Sequence, residues 1–591
     1  MIPNAPIGLW PGLEYEGESI DTIQGRPLFI YTDGLNEAED QGDRSLLSHP
    51  GACPRLEQIE AIRQNLPYKL AQSRLFYGIA PVYRVIIWRN RLFFVTLRQI
   101  INNDDMEKSI IGREKEKMEL KNYISSEQSE FVAIYGRRRV GKTFLVKELL
   151  EGRFTFRMTG KENARLGDQL LNFSYALEDF FHDSLVPKSW TEAFRMLSKN
   201  IEKLGEGTKI IFIDELPWLD TPKSRFLGAL EHFWNDWAYY RNDIKLIVCG
   251  SATSWMLKKL INARGGLHNR VTHNMLVSPF CLEETEQYFQ SKGFNYERPE
   301  MIDCYMAVGG VAYYLSLFSR DKSVAENIND LCFTRGGELT DEFNKLYDSL
   351  FKKTENHIAV INALSNNRKG MTRLELISKT KLPNNGNLTT LLKELETCEF
   401  IRSYQPFGKE KKDKTFQLTD QFSLFYLHFM KIEGNYGKNY WMQMIGKPEY
   451  SAWSGYAFET VCLHHVEQIV NALGISGAYY SPCSWTYRPS DAVKNDANAD
   501  EDLRRGGQID LLIDRKDKTI SVCEMKYSGG EYEITKAYAN HVEERLRTFR
   551  KVTNTKKSFS IVYVTPFGLY NNMYARKVNK QITADDLFKK S

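Results

Sequence analysis

The stretch Phe131–Lys147, FVAIYGRRRVGKTFLVK, decides how this chain is read. It opens with Phe131, Val132, Ala133, Ile134 and Tyr135, an apolar run that reads as a buried strand. The chain then turns through Gly136-Arg137-Arg138-Arg139-Val140-Gly141-Lys142-Thr143, and a helical pattern follows with Phe144, Leu145, Leu149 and Leu150 on one side. Strand, glycine loop, Lys-Thr and helix, in that order, are the context a phosphate-binding loop requires. Gly136 and Gly141 let the backbone curl so that its N–H groups point inward at phosphate oxygens. The helix N-terminus adds partial positive charge. Lys142 brings a full charge to the β/γ-phosphates, and the Thr143 hydroxyl is a ligand for Mg2+. ATP and Mg2+ are the expected ligands.

Working outward, residues 106–280 alternate strand and helix, which predicts a parallel sheet with helices on both faces. Ile110-Ile111-Gly112-Arg113-Glu114 precedes a helix and suits a segment that wraps the base. Phe154–Met158 reads as a second strand. Lys209-Ile210-Ile211-Phe212-Ile213-Asp214-Glu215 reads as a third, an apolar run that ends in two carboxylates. Asp214 at the strand end suits the Mg2+ shell, and Glu215 suits polarisation of the attacking water. Lys245–Cys249 is a fourth strand, ending in Gly250-Ser251-Ala252-Thr253. Ser251 there can touch the γ-phosphate, while Ser251 and Thr253 serve equally well as helix caps. Val271–Phe280 supplies the fifth strand.

Length and composition set the outer limits. The chain has 591 residues, about four domains at ~150 residues each. A net charge of +4 points to no class of partner, so a nucleic-acid site has to come from local patches. The nine cysteines show neither C-x-x-C nor zinc spacing and read as reduced thiols of a cytoplasmic protein. Met1–Trp10 lacks the pattern of a signal peptide. Val82–Ile101 is interrupted by Arg84, Arg89, Arg91 and Arg98 and should not span a bilayer.

GRRRVGKT, IIFIDELPWL, LIVCGSATSWM, GGLHNR and VSPF together resemble the archaeal-type ATPase family of the AAA+/STAND P-loop group, over about Glu107–Leu317. The resemblance implies strand order 5-1-4-3-2, a helical lid at 281–345 and a winged helix behind it. Gly309-Gly310-Val311-Ala312-Tyr313-Tyr314-Leu315 resembles the lid's GG-x-P-x-x-L segment, with Ala312 in place of proline, which implies a less rigid turn. Arg270 stands where the family carries an arginine before its last core strand. The resemblance implies a γ-phosphate contact for it, in cis or from a neighbouring subunit of a homo-oligomer. Pairing with a surface carboxylate is the plainer alternative.

Residues 346–430 carry helical patterns at His357–Leu364, Thr372–Thr380 and Asn387–Cys398. A hairpin follows at Phe400–Tyr404 and Thr415–Leu418, with a charged tip, Gly408–Lys414, between its strands. This is the order of a winged helix. Thr372 and Glu375 have capping-box spacing. Lys381, Asn384, Asn385, Asn387, Thr389, Thr390 and Lys393 suit a DNA groove, and Lys409, Lys411 and Lys412 suit phosphates. Glu394, Glu396 and Glu399 interrupt this basic character, and winged helices also contact proteins.

Residues 431–450 read as a connector, and 451–591 carry a second constellation. Gly455-Tyr456-Ala457-Phe458-Glu459 starts a helix, Asp491–Arg505 reads as an exposed loop, and Gln508–Ile513 and Thr519–Lys526 read as a hairpin. Asp510, thirteen residues, then Glu524-x-Lys526 is the spacing of a D…E-x-K nuclease site. Period 2 puts Glu524 and Lys526 on one sheet face. Asp510 and Glu524 can bracket a divalent metal, and Lys526 can orient water. This part resembles the restriction-endonuclease-like domain found at the end of many proteins of the same ATPase family, whose first helix carries a glutamate, here Glu459. The helix Lys536–Lys551 and strand Phe559–Thr565 complete its α-β-β-β-α-β core.

The N-terminus reads differently. YTDGLNEA in residues 1–67 resembles the C-terminal part of sporulation-type metal-dependent serine/threonine phosphatases, which implies a metal-ligand role for Asp33. A lone carboxylate does not make a two-metal site. Residues 68–105 are basic, aromatic and patternless and read as an irregular linker. The expectation is an α/β chain in which an ATPase core is joined through a winged helix to a nuclease-like domain, acting on DNA. The rival is a STAND-type switch whose C-terminal domain binds a partner without cutting.

Overall fold

The computed structural model describes residues 110–590, apart from 263–266, 268, 352–353, 410–412, 432–435, 438, 478–479 and 497, together with the backbone of three strands nearer the N-terminus. The chain divides into two units, 1–109 and 110–591. In the first, β1 (Tyr77–Ala80), β2 (Tyr83–Trp88) and β3 (Arg91–Thr96) form an antiparallel meander in that order. This corrects the irregular linker expected at 68–105. Its strands are legible only through their two-residue connections. The run Val85-Ile86-Ile87-Trp88 is apolar at every position and has no period. Asp33 and the phosphatase-like segment 1–67 lie outside the described residues.

The second unit begins with α1 (Glu114–Ser125), β4 (Glu130–Tyr135), α2 (Lys142–Leu150), β5 (Phe154–Thr159), α3 (Leu166–Phe181), α4 (Trp190–Glu202), β6 (Lys209–Asp214), α5 (Phe226–Phe233), β7 (Ile244–Gly250) and β8 (His273–Leu276). The sheet runs β5-β6-β7-β4-β8, all parallel, which is 2-3-4-1-5 from the phosphate-loop strand and agrees with the expected order. Period 2 splits its apolar residues between two cores. Phe131, Ala133, Ile211, Ile213, Leu246 and Val248 pack with α3, α4 and α5. Val132, Ile134, Ile210, Phe212, Ile247 and Cys249 pack with α1 and α2. Two buried faces explain why the strands read as unbroken apolar runs.

Helices α6 (Leu282–Ser291), α7 (Arg298–Val308), α8 (Ala312–Ser316), α9 (Val324–Phe333) and α10 (Glu342–Leu350) follow. At the head of α8, a Cβ on Gly310 would lie 1.8 Å from the Phe280 carbonyl oxygen, so only glycine fits there. The Tyr313 N–H reaches the Arg139 carbonyl of the phosphate loop at 3.2 Å. Next come α11 (Thr354–Ser365), β9 (Met371–Thr372), α12 (Arg373–Thr380), α13 (Gly386–Thr397), β10 (Ile401–Tyr404) and β11 (Thr415–Leu418). The sheet order is β10-β11-β9, antiparallel, and β9 is a short strand the sequence does not announce. The capping box at α12 is formed: Glu375 accepts from the Thr372 N–H at 2.7 Å, and Thr372 accepts in return at 3.4 Å.

After α14 (Gln421–Phe425) come α15 (Pro448–His464), α16 (Val466–Ala472), β12 (Tyr480–Tyr487), β13 (Gly507–Arg515), β14 (Thr519–Met525), α17 (Lys536–Thr553), β15 (Ser558–Val564) and β16 (Lys580–Ile582). The sheet runs β12-β13-β14-β15-β16, antiparallel across β12, β13 and β14 and parallel beyond. Leu511, Ile513, Cys523 and Met525 pack toward α15, while Ile509, Leu512, Ile520 and Val522 pack toward α17. Two expectations need correcting. The helix bearing Glu459 starts at Pro448, inside the supposed connector, because Pro at its first position suits a helix start. The segment 491–505 holds two short helices, capped by Ser490 and Asp500, and is not wholly a loop. Among the described residues every cysteine is unpaired, and no helix is long and apolar enough to cross a membrane.

Candidate functional site

The phosphate loop runs from the end of β4 to the start of α2. Gly136 has φ 145°, and a Cβ there would stand 2.3 Å from the Val277 carbonyl oxygen, so the first glycine is fixed by strain and by space. Gly141 and Arg139 also sit at positive φ. Val140 is buried against the sheet, and its carbonyl accepts from Arg113 at 3.1 Å, which ties the Ile110–Glu114 segment to the loop. The N–H of Arg113 is held in turn by Glu284 at 2.8 Å.

Lys142 lies buried under the loop. Its ammonium donates to the Gly136 carbonyl at 2.9 Å, the Arg137 carbonyl at 2.8 Å and Ser251 Oγ at 3.2 Å. Burial pushes its pKa below the ordinary lysine value, partly offset by Glu215. Thr143 Oγ1 donates to Asp214 Oδ1 at 3.1 Å, and the Glu215 N–H reaches the same oxygen at 3.1 Å. Burial, and then the neighbouring Glu215, raise the Asp214 pKa. Glu215 itself adopts a left-handed backbone, φ 48°. Both its oxygens are taken by Ser251, from the N–H at 3.1 Å and the hydroxyl at 2.6 Å. One chain of contacts thus runs Lys142–Ser251–Glu215 beside Thr143–Asp214. Thr143 and Asp214 are adjacent oxygen donors, the donor type Mg2+ takes. Bound there, the ion would supply positive charge to phosphate oxygens.

The loop's arginines point elsewhere. Arg137 is buried and forms an ion pair with Asp420, just before α14. Burial works against its charge, but Asp420 outweighs this and the guanidinium pKa is raised. Arg139 pairs with Glu342 at 2.6 Å and lies over the Tyr313 ring. Arg138 is half-buried. Asp420 and Glu342 were not singled out from sequence, and nothing local marks them, since Asp420 lies 283 positions from Arg137.

Arg270 is not brought to this site. It precedes β8, whose first residue pairs with Val132 at the start of β4, whereas the loop follows the end of β4. The length of β4 separates the two, roughly 20 Å at ~3.3 Å per residue. Its guanidinium lies 5.2 Å from the centroid of the Tyr239 ring. The contact in cis is therefore corrected, because a residue that enters the sheet at the opposite end of the strands cannot reach the loop of its own chain.

In the C-terminal sheet, the β13–β14 ladder stops at Leu511↔Cys523. Asp510 and Glu524 stand one step beyond that last pair, at the open end of the ladder. Glu459 approaches from α15. Burial, and then Asp510, push its pKa up to about 8. The Asp510 pKa is also raised, by burial first, against a hydrogen bond from Gln508. Lys526 faces the ring of Tyr538 at 5.1 Å. Glu524 is buried and fully engaged: Tyr538 Oη donates to it at 2.6 Å and Arg545 Nη2 at 2.5 Å. The four expected residues are thus gathered, with Tyr538 and Arg545 of α17 added. Asp510 and Glu524 have the donor chemistry of a hard divalent cation. As arranged they do not form a ready site, because Glu524 already holds a cation. Among the described residues no group of three metal-ligating side chains is placed to hold an ion.

Residues 110–318 match a family described as an ATPase domain predominantly from Archaea, close to the span expected from the motifs. An uncharacterised protein of Methanocaldococcus jannaschii is 26% identical over 362 residues, 59% of this chain and 76% of its own length. Among solved structures, the Walker-type ATPase of Pyrococcus abyssi is 19% identical over 55% of this chain and 97% of its own, with a TM-score of 0.41. The Aeropyrum pernix ORC2 protein is 13% identical over 53% of this chain and 92% of its own, with a TM-score of 0.35. Residues 110–318 are an ATPase domain, and the chain is an ATP-hydrolysing enzyme.

Proposed function

We propose that this ATPase is an AAA+/STAND-type motor or switch whose nucleotide state is passed to a DNA-binding winged helix at 346–430 and a restriction-endonuclease-like domain at 451–591. Mg2+ serves in hydrolysis at Thr143 and Asp214, and Glu215 polarises the attacking water. The observation that carries the reading is the buried Arg137–Asp420 pair. It joins the phosphate loop directly to the segment leaving the β10–β11 hairpin, so a change at the loop is felt beyond the ATPase core.

Ser251 takes one acceptor position on each Glu215 oxygen and so holds the carboxylate in place, and the remaining lone pairs are what Glu215 offers to the attacking water. Glu215→Gln keeps the shape and removes only the base. It is expected to retain ATP affinity and to slow turnover about a hundredfold or more. Turnover at the wild-type rate in a phosphate-release assay would reject the assignment.

DNA binding is supported by the exposed residues on and around α13. Lys381, Asn384, Asn387, Thr389, Lys393 and Lys409 are exposed. The glutamates that seemed to spoil this face are engaged away from it. Glu394 accepts from Ser254 at 2.6 Å and from Lys258 at 2.5 Å, Glu399 is half-buried and accepts from Ser278 at 2.8 Å, and Glu396 takes Ser403 and Lys414. Lys393→Glu with Lys409→Glu should weaken binding of a fluorescent duplex at least tenfold, with a shallower salt dependence. Unchanged anisotropy curves would remove DNA from the reading. A second reading, a switch whose C-terminal domain binds without cutting, is favoured by the Arg545–Glu524 pair.

A further inference from the structure

The pair between Arg545 and Glu524 is the least expected feature of the C-terminal sheet. Arg545 and Tyr538 lie seven residues apart, two turns along α17, and so share the face that meets β14. Arg545 bridges two strands, with Nη2 on Glu524 at 2.5 Å and Nη1 on the Gln508 carbonyl at 3.1 Å. Its Nε is buried without a hydrogen-bond partner. The guanidinium is therefore held by one edge only. An unsatisfied buried donor is costly, and a phosphate, which the guanidinium fork fits as well as a carboxylate, can satisfy more of its donors. Lys526, on the same face beside Tyr538, offers such a phosphate a second cation.

We propose that Arg545 is a latch on this site: it occupies Glu524 in the resting chain and releases it when a nucleic-acid backbone phosphate takes the guanidinium. The inference rests on the nuclease-like reading above and adds who controls the site. Asp510 and Glu524 stand one step beyond the last pair of the β13–β14 ladder, and Arg545 spans the two strands through Glu524 and the Gln508 carbonyl. With Arg545 gone, Glu524 loses its paired cation beside Asp510, and a divalent cation can take that place. Arg545 therefore tunes when the site accepts metal, as a positioning residue.

The test is Mn2+ calorimetry on the full chain, wild type beside Arg545→Met and Tyr538→Phe. ATP turnover in the same preparations reports folding through a site these residues do not touch. Arg545→Met should bind Mn2+ at least tenfold more tightly than wild type. Tyr538→Phe, which loses a single hydrogen bond, should gain less, and it carries the test alone if the arginine variant does not fold. A duplex oligonucleotide should raise the wild-type Mn2+ affinity and leave that of Arg545→Met unchanged. Equal Mn2+ affinity in all three proteins overturns the latch and leaves the metal site standing. No Mn2+ binding by any folded protein, with or without duplex, overturns the nuclease-like reading and the latch with it. Latch relief without any effect of duplex overturns the phosphate as its trigger.

Discussion

Lys142→Ala is expected to lower the ATP affinity of the full chain by about two to three orders of magnitude and to abolish turnover. Lys142 carries a full positive charge buried under the loop, within 3 Å of two loop carbonyls. Contacts between a charged donor and phosphate oxygens are worth about 1.5–3 kcal/mol each. Losing one or two of them costs about 3–4 kcal/mol, and each 1.4 kcal/mol is about tenfold in affinity. The nucleotide-free chain should melt within a few degrees of wild type. Burial already disfavours this ammonium, and removing it relieves a cost as well as deleting its bonds. The two effects separate in one experiment, thermal melts with and without ATP. Wild type should be stabilised by ATP and the variant should not. A variant with the same ATP-induced shift as wild type would show that the phosphates lie elsewhere.

What the sequence made legible is mostly local. Gly136 to Thr143, Asp214, Glu215 and Ser251 all sit at strand ends, where an apolar run stops and a polar residue or a glycine takes over, and they meet as expected. The hairpin that carries Asp510 and Glu524 is a contiguous stretch with period-2 alternation, and it formed as read. Partners brought in by folding were out of reach. Asp420 and Glu342 lie in helical segments with no motif, and their carboxylates acquire meaning only when α10 and α14 pack beside the loop. Arg545 and Tyr538 left a faint trace. Tyr538 packs against the apolar stripe Val542, Leu546, Phe549 that covers the sheet, Arg545 adjoins it, and a charged residue beside such a stripe needs a buried partner. Arg270 was misplaced in cis because a motif position gives no direction. Which end of a strand a residue precedes is settled by the register of β8 on β4.

Asp420→Ala is expected to destabilise the unit 110–591 strongly. Arg137 and Asp420 are 3% and 4% exposed, and the guanidinium also lies 5.4 Å from the centroid of the Phe400 ring. Removing one partner of a buried pair strands the other, at a cost of about 3–5 kcal/mol. Asp420 also caps α14, accepting from the Ser423 N–H at 2.8 Å, and a lost cap adds about 1 kcal/mol. A cavity of about 230 Å³, lined by Arg137, Glu399 and Gln421, adjoins the pair. Water entering it can solvate the orphaned guanidinium, which places the pair term near the lower end of its range. Asp420→Asn removes the charge and keeps one acceptor oxygen, so the difference between the two variants measures what that oxygen contributes as cap or as partner of Arg137. Arg137→Met with Asp420→Leu removes both charges and should recover most of the stability, because an apolar replacement of a buried pair is often neutral. That double variant also cuts the route from loop to hairpin. It should hydrolyse ATP while its DNA affinity no longer differs between ATP and ADP. Melting curves and anisotropy titrations in the two nucleotides measure both effects. A double variant whose DNA affinity still tracks the nucleotide would sink the coupling role of the pair and leave it a structural contact.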